Sequence, residues 1–157
     1  MNNTPVFRCC VCHEVIANPR WSLDRNTQKY RTIEMDGKTL NAINIAFSQE
    51  MFIYDSQSCW KAHEPTIVKE MKLKTTYPPS TPLMTSCCRC GDPVDRTKSH
   101  VSYAINAMNM EETEDSWIGH FVEGDEFAVL CPNCEEPDAP EPEAAAETAD
   151  DQERARV

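Results

Sequence analysis

Apolar positions in this chain gather in short, strand-like runs separated by polar stretches. Residues 29–35 and 39–47 read as two strands, with Asp36-Gly37 supplying a tight hairpin turn between them. Leu40, Ile43, Ile45 and Phe47 do not alternate strictly, so the register stays open. Val101, Tyr103 and Ile105 alternate with Ser102, Ala104 and Asn106, the pattern of a half-buried strand. Residues 108–115 are polar and read as a loop, and residues 126–130 as a further strand. Ser56 has the chemistry of an N-cap for a short helix carrying Cys59, Trp60 and His63. Pro65 either ends that helix or opens a second one through Lys72.

These runs occur in two sets. Cys9-Cys10-Val11-Cys12 returns 78 positions later as Cys87-Cys88-Arg89-Cys90. Phe52-Ile53-Tyr54 precedes Cys59 much as Phe127-Ala128-Val129-Leu130 precedes Cys131. Two related modules follow, residues 5–74 and 84–136. Residues 75–83 between them hold Tyr77-Pro78-Pro79-Ser80-Thr81-Pro82, a semi-rigid extended connector because proline suits neither helix nor ladder. Residues 137–157 are rich in Glu, Asp, Ala and Pro and lack large apolar side chains, so a disordered acidic tail is predicted. The predicted class is small α+β, with two tandem metal-stabilised modules built on short antiparallel strands.

Size makes the metal necessary. A chain of 157 residues split in two gives cores that offset chain entropy poorly, and such modules depend on disulfides or ions. Nine cysteines is an odd number, the spacing is Cys-x-x-Cys, and no apolar leader precedes Cys9. Zinc in a reducing, cytoplasmic setting is therefore expected, and no run has the length of a membrane span. The net charge of -11 is uneven: residues 1–74 carry +2, residues 75–134 carry -6 and residues 135–157 carry -7. Such a balance disfavours general affinity for nucleic acid and favours a protein partner with a basic surface. The basic, aromatic-interleaved stretch Arg8, Arg20, Trp21, Arg25, Lys29, Tyr30 and Arg31 is the one local exception.

Two zinc ions are predicted. Cys87, Cys90, Cys131 and Cys134 make an all-thiolate site with no position left for water or substrate. Cys9, Cys12, Cys59 and His63 make the other, the last two brought to one helix face by their i, i+4 spacing. The run from Phe52 through Asp55, Ser56 and Cys59 to His63 resembles the second half of treble-clef fingers of the TRASH, MYM and HIT type. Their pattern is aromatic-Cys-Ser-x-x-Cys, and Asp55 stands here where those fingers have the first cysteine. The resemblance implies a ligand from this segment besides Cys59. His63 is preferred on the softness of nitrogen, with Asp55 as the oxygen alternative. Cys10 and Cys88 are spare, and the simplest account of both is a small buried residue copied by duplication.

No nucleophile–base pair and no glycine-rich phosphate loop is present, so no catalytic residues are predicted and the chain is not expected to be an enzyme. The expected role is a non-catalytic zinc-stabilised protein-binding module, in a sharper form an acidic inhibitor or adaptor acting on a nucleic-acid-binding protein. A nucleic-acid-binding accessory or transcriptional regulator is the second expectation, and a thiol-redox protein the third.

Overall fold

Both residues of the Asp36-Gly37 turn adopt positive φ, 53° and 74°, as a two-residue hairpin of the favoured twist requires. The strands that it joins, β1 (Arg20–Met35) and β2 (Lys38–Tyr54), are far longer than the short strands expected. The computed structural model describes residues 6–79 and 82–138. Residues 20–28 hid their strand character because one face of β1 buries polar groups in place of apolar ones. Ser22, Asp24, Asn26 and Gln28 are all buried. Asp24 Oδ2 accepts from Ser22 Oγ at 3.2 Å and from Asn106 Nδ2 at 2.8 Å, and Asn26 Oδ1 accepts from Ser48 Oγ at 2.6 Å. Hydrogen bonding thus replaces apolar burial as the cohesion of that face.

The second hairpin corrects another expectation. Residues 108–112 are not a loop: β5 (His100–Glu112) pairs with β6 (Trp117–Leu130), and the register runs from Val101↔Leu130 to Glu112↔Trp117. The turn is residues 113–116, closed by Thr113 N–H donating to Ser116 O at 2.7 Å. Ladder bonds satisfy the backbone at the hairpin tip, so exposed polar side chains are tolerated there.

The four strands form one antiparallel sheet in the order β2-β1-β5-β6. β1 and β5 pair from Arg20↔Met108 to Gln28↔His100, so the sheet runs across the boundary between the two sequence modules. Arg25 pairs with Tyr103, 78 positions on, the same offset as the cysteine repeat. The two hairpins are therefore related by an approximate two-fold axis beside that pair. The connector is held as well: Tyr77 N–H donates to Phe127 O at 2.7 Å, and Arg96 donates to Pro79 O at 3.0 Å. Ser80, Thr81 and the predicted tail beyond Asp138 lie outside the described residues.

The helix α1 (Gln57–Glu70) begins at Ser56, whose Oγ accepts from Cys59 N–H at 3.2 Å, the predicted cap. Pro65 neither ends it nor starts another; it lies inside one continuous helix. Trp60 and Ile67 are its buried residues and belong to the core cluster. Trp60 meets Phe127 edge-on at 5.0 Å between centroids and Tyr54 at 5.6 Å, while its Nε1 donates to Tyr77 Oη at 3.3 Å. A small ladder, β3 (Met84–Ser86) with β4 (Pro93–Asp95), flanks the second cysteine triplet.

Candidate metal centres

The sequence repeat is also a repeat of hydrogen bonds. Cys9 N–H donates to Glu14 O and His13 N–H to Cys9 O, both at 3.0 Å; 78 positions on, Cys87 N–H donates to Asp92 O and Gly91 N–H to Cys87 O. Val11 N–H and Arg89 N–H each point at the sulfur two residues earlier, at 3.4 Å. The Arg8↔Val15 bridge matches the Ser86↔Pro93 pair of β3 and β4. Each triplet then docks on its own hairpin: Cys10 N–H donates to Ile53 O at 3.1 Å and Cys88 N–H to Val129 O at 2.8 Å. Both are tight knuckles whose backbone amides converge on sulfur.

Each knuckle needs a left-handed residue after its last cysteine. Gly91 fills it with φ 84°, His13 with φ 66°. A left-handed non-glycine costs about 1–2 kcal/mol. Gly91→Ala is accordingly expected to destabilise by about that amount, whereas His13→Gly should stabilise by up to about 1 kcal/mol. Paired urea titrations measure both, and equal effects of the same sign would refute the assignment.

In the second centre the sulfurs of Cys87, Cys90, Cys131 and Cys134 lie within 4.8 Å of one another, and Cys90 Sγ is 3.6 Å from Cys131 Sγ. Arg89 braces the set, donating from Nε to Met71 O at 2.8 Å and from Nη1 to Cys134 O at 3.0 Å. Burial raises the Cys87 pKa, but amide donors on Cys90, Cys131 and Arg89 outweigh it and bring the thiol down to about 6. Cys134 is pushed up to about 12, by desolvation and then by the neighbouring sulfurs. One thiolate is prepared while Cys90 and Cys134 resist ionising beside it, a conflict that a cation resolves.

In the first centre the sulfurs of Cys9, Cys12 and Cys59 form a group of three within the same limit. For Cys9, too, burial acts upward and is outweighed by amide donors on Cys12, Asp55 and Val11, which bring it to about 7. His63 is outside that group; its Nδ1 lies 2.8 Å from Tyr54 Oη and its ring meets Phe52 edge-on at 5.0 Å. Asp55 Oδ1 accepts from Ala17 N–H at 3.2 Å. Both clusters can hold a metal ion, one with four cysteines and one with three.

The two spare cysteines are not alike. Cys88 is buried, as the copied-residue account expects, but Cys10 is exposed. Residues 74–75 run over Cys88, both donating N–H groups to its carbonyl, at 2.7 and 3.2 Å. His13 turns left-handed in its knuckle, His100 is buried with Nδ1 at 2.9 Å from Lys98 O, and His120 pairs with Glu111 at 2.8 Å on the surface. Two of the five cations of the basic stretch are paired within the chain: Arg20 with Glu50, and Arg25 with Glu135 and Asp138.

The feature that sequence patterns missed is a groove of about 400 Å³ on the sheet face that carries the buried polar groups. Asp24, Asn26, Gln28, Ser102, Asn106 and Glu126 lie along it, with Ile43, Ile45, Met108 and Phe121 among its apolar lining. The period-2 alternation of Ser22, Asp24, Asn26 and Gln28 was the available signal, obscured because both faces of β1 carry polar residues. No protein family, curated protein or solved structure matches this chain.

Proposed function

We propose that this chain is a non-catalytic binding module, held by two zinc ions, whose grooved sheet face receives a basic segment of another protein. The observation that carries the proposal is the composition of that groove. Asp24, Asp125 and Glu126 supply carboxylates: Asp125 is exposed, Asp24 is buried and accepts from Ser22 and Asn106, and Glu126 pairs with Arg96. Around them Ile43, Ile45 and Phe121 are exposed, Phe121 at 65%. Carboxylates beside exposed apolar side chains suit lysine or arginine, whose long stems seek apolar cover while the cationic head seeks an acid. The net charge of -11 adds attraction for a basic protein and repulsion for phosphate.

Zinc is the ion that best suits tetrahedral thiolate sets on tight knuckles, and the closed four-sulfur site supports a structural role for it. The order knuckle, hairpin, helix supports the treble-clef relationship of the first module. Engagement of Arg20 and Arg25 with carboxylates of this chain weakens the nucleic-acid alternative. Inhibition of a nucleic-acid-binding protein is one form that capture of a basic segment would take.

A photo-crosslinking side chain placed at Phe121 tests the proposal in cells, with Met84, another exposed position away from the groove lining, as control. The expected adduct is a protein carrying a lysine- or arginine-rich contact segment. Phe121→Ser with Ile45→Ser should weaken binding of that segment at least about tenfold without moving the melting temperature. A nucleic-acid adduct, or equal labelling from both positions, would overturn the assignment.

A further inference from the structure

The two metal centres share one backbone plan, and the plan designates the fourth ligand of the first centre. In the second centre, Cys88 N–H binds Val129 O, and two residues later Cys131 presents its N–H to Cys87 Sγ at 3.3 Å and its own sulfur to the cluster. In the first centre, Cys10 N–H binds Ile53 O, and two residues later the N–H of Asp55 lies on Cys9. Counted from the carbonyl that each triplet grips, Asp55 occupies the station of Cys131, a shift of two residues from the 78-residue offset that the strands keep. Cys59, on the first turn of α1, then takes the part of Cys134.

We infer that Asp55 is the fourth ligand of the first zinc, bound through a carboxylate oxygen, so that the two ions are chemically unequal: four sulfurs hold one, three sulfurs and one oxygen the other. This rests on the zinc assignment above. Asp55 Oδ1 accepts from Ala17 N–H; its carboxylate stands outside the group that the three sulfurs form, so closing on an ion would require it to turn toward them. An outer hydrogen bond on one oxygen while the other binds metal is a common way of orienting such a ligand. The competitors are otherwise disposed. His63, like Asp55, lies outside the sulfur group, but its Nδ1 is already engaged at 2.8 Å from Tyr54 Oη and its backbone has no counterpart of the Asp55 N–H on Cys9. Cys10 matches Cys88, which takes no part in the four-sulfur set. Replacement of a soft thiolate by a hard carboxylate makes the first ion the more exchangeable of the two.

Zinc-edge X-ray absorption of the full chain carrying both ions is the test. The expected average is about 3.5 sulfurs and about 0.5 oxygen per zinc, without the outer-shell scattering of an imidazole. Asp55→Cys should raise the sulfur count toward about four. Asp55→Ala should lower the affinity for one of the two ions at least about tenfold, while His63→Ala leaves both within about twofold. An imidazole signature would assign the place to His63, and a full sulfur count in the unaltered chain would assign it to Cys10; either overturns the inference. An Asp55→Ala chain with unchanged affinity would identify the oxygen as water and overturn it too. Fewer than two zinc ions per purified chain would instead overturn the zinc assignment, and this inference with it.

Discussion

Chelation of the bound metal is expected to abolish the cooperative unfolding transition, not merely to lower its midpoint. Structural zinc contributes on the order of 10–16 kcal/mol at neutral pH in small finger domains, against about 5–15 kcal/mol of total stability for an ordinary protein. The sulfurs are built into the core: Cys9, Cys87 and Cys131 are buried with Trp60, Phe127 and Leu130. Without the ion, several of these thiols repel one another as soon as they ionise, and each knuckle keeps only a few backbone bonds. Circular dichroism melts with and without a strong chelator, with metal content measured on the same samples, check the expectation. Superimposable melts would show that the sheet stands alone. Cys131→Ser localises the effect, since it should remove one ion and lower the melting temperature, leaving the first centre loaded.

Arg96→Ala is expected to have the largest effect of any single change outside the knuckles. Arg96 is 0% exposed, and its Nη1 donates to Glu126 Oε1 at 2.7 Å and to Tyr30 Oη at 2.6 Å. Glu126 Oε2 also accepts from Ser102 Oγ at 2.6 Å and from Gln28 Nε2 at 3.4 Å, so this one pair ties β1, β5 and β6 to the connector. Removal of the cation leaves the carboxylate in the wall of the groove without its counterion. Breaking a buried pair in this way costs about 3–5 kcal/mol. For a chain of this length that is a fall of about 6–20 °C in melting temperature. Arg96→Met combined with Glu126→Gln removes both charges and should cost clearly less than the two single changes added together. Strict additivity in urea titrations would show that the pair is not coupled.

Features set by neighbouring residues are legible in the order of amino acids. Asp36-Gly37 demands two left-handed residues in succession, Ser56 offers an oxygen to the first turn of α1, and each Cys-x-x-Cys folds into a knuckle through its own amides. Harder to see are elements whose cohesion comes from distant partners. Polar residues 20–28 become a central strand because β5 supplies a ladder on one side and β2 on the other. Residues 108–112 become strand because β6 pairs with them, although little of that hairpin tip is buried.

The amino-acid order alone determined the cysteine spacing, the duplicated layout, the turn and helix cap, and the acidic balance, since each depends on covalent sequence or on contacts within a few residues. The tertiary structure decided that the two halves share one sheet about a near-two-fold axis. It also decided that the Asp55 N–H lies on Cys9 and that carboxylates from different strands line one groove. Those outcomes depend on which strand edges meet across some 80 residues of chain, and on the alternation of side chains that the shared register then imposes.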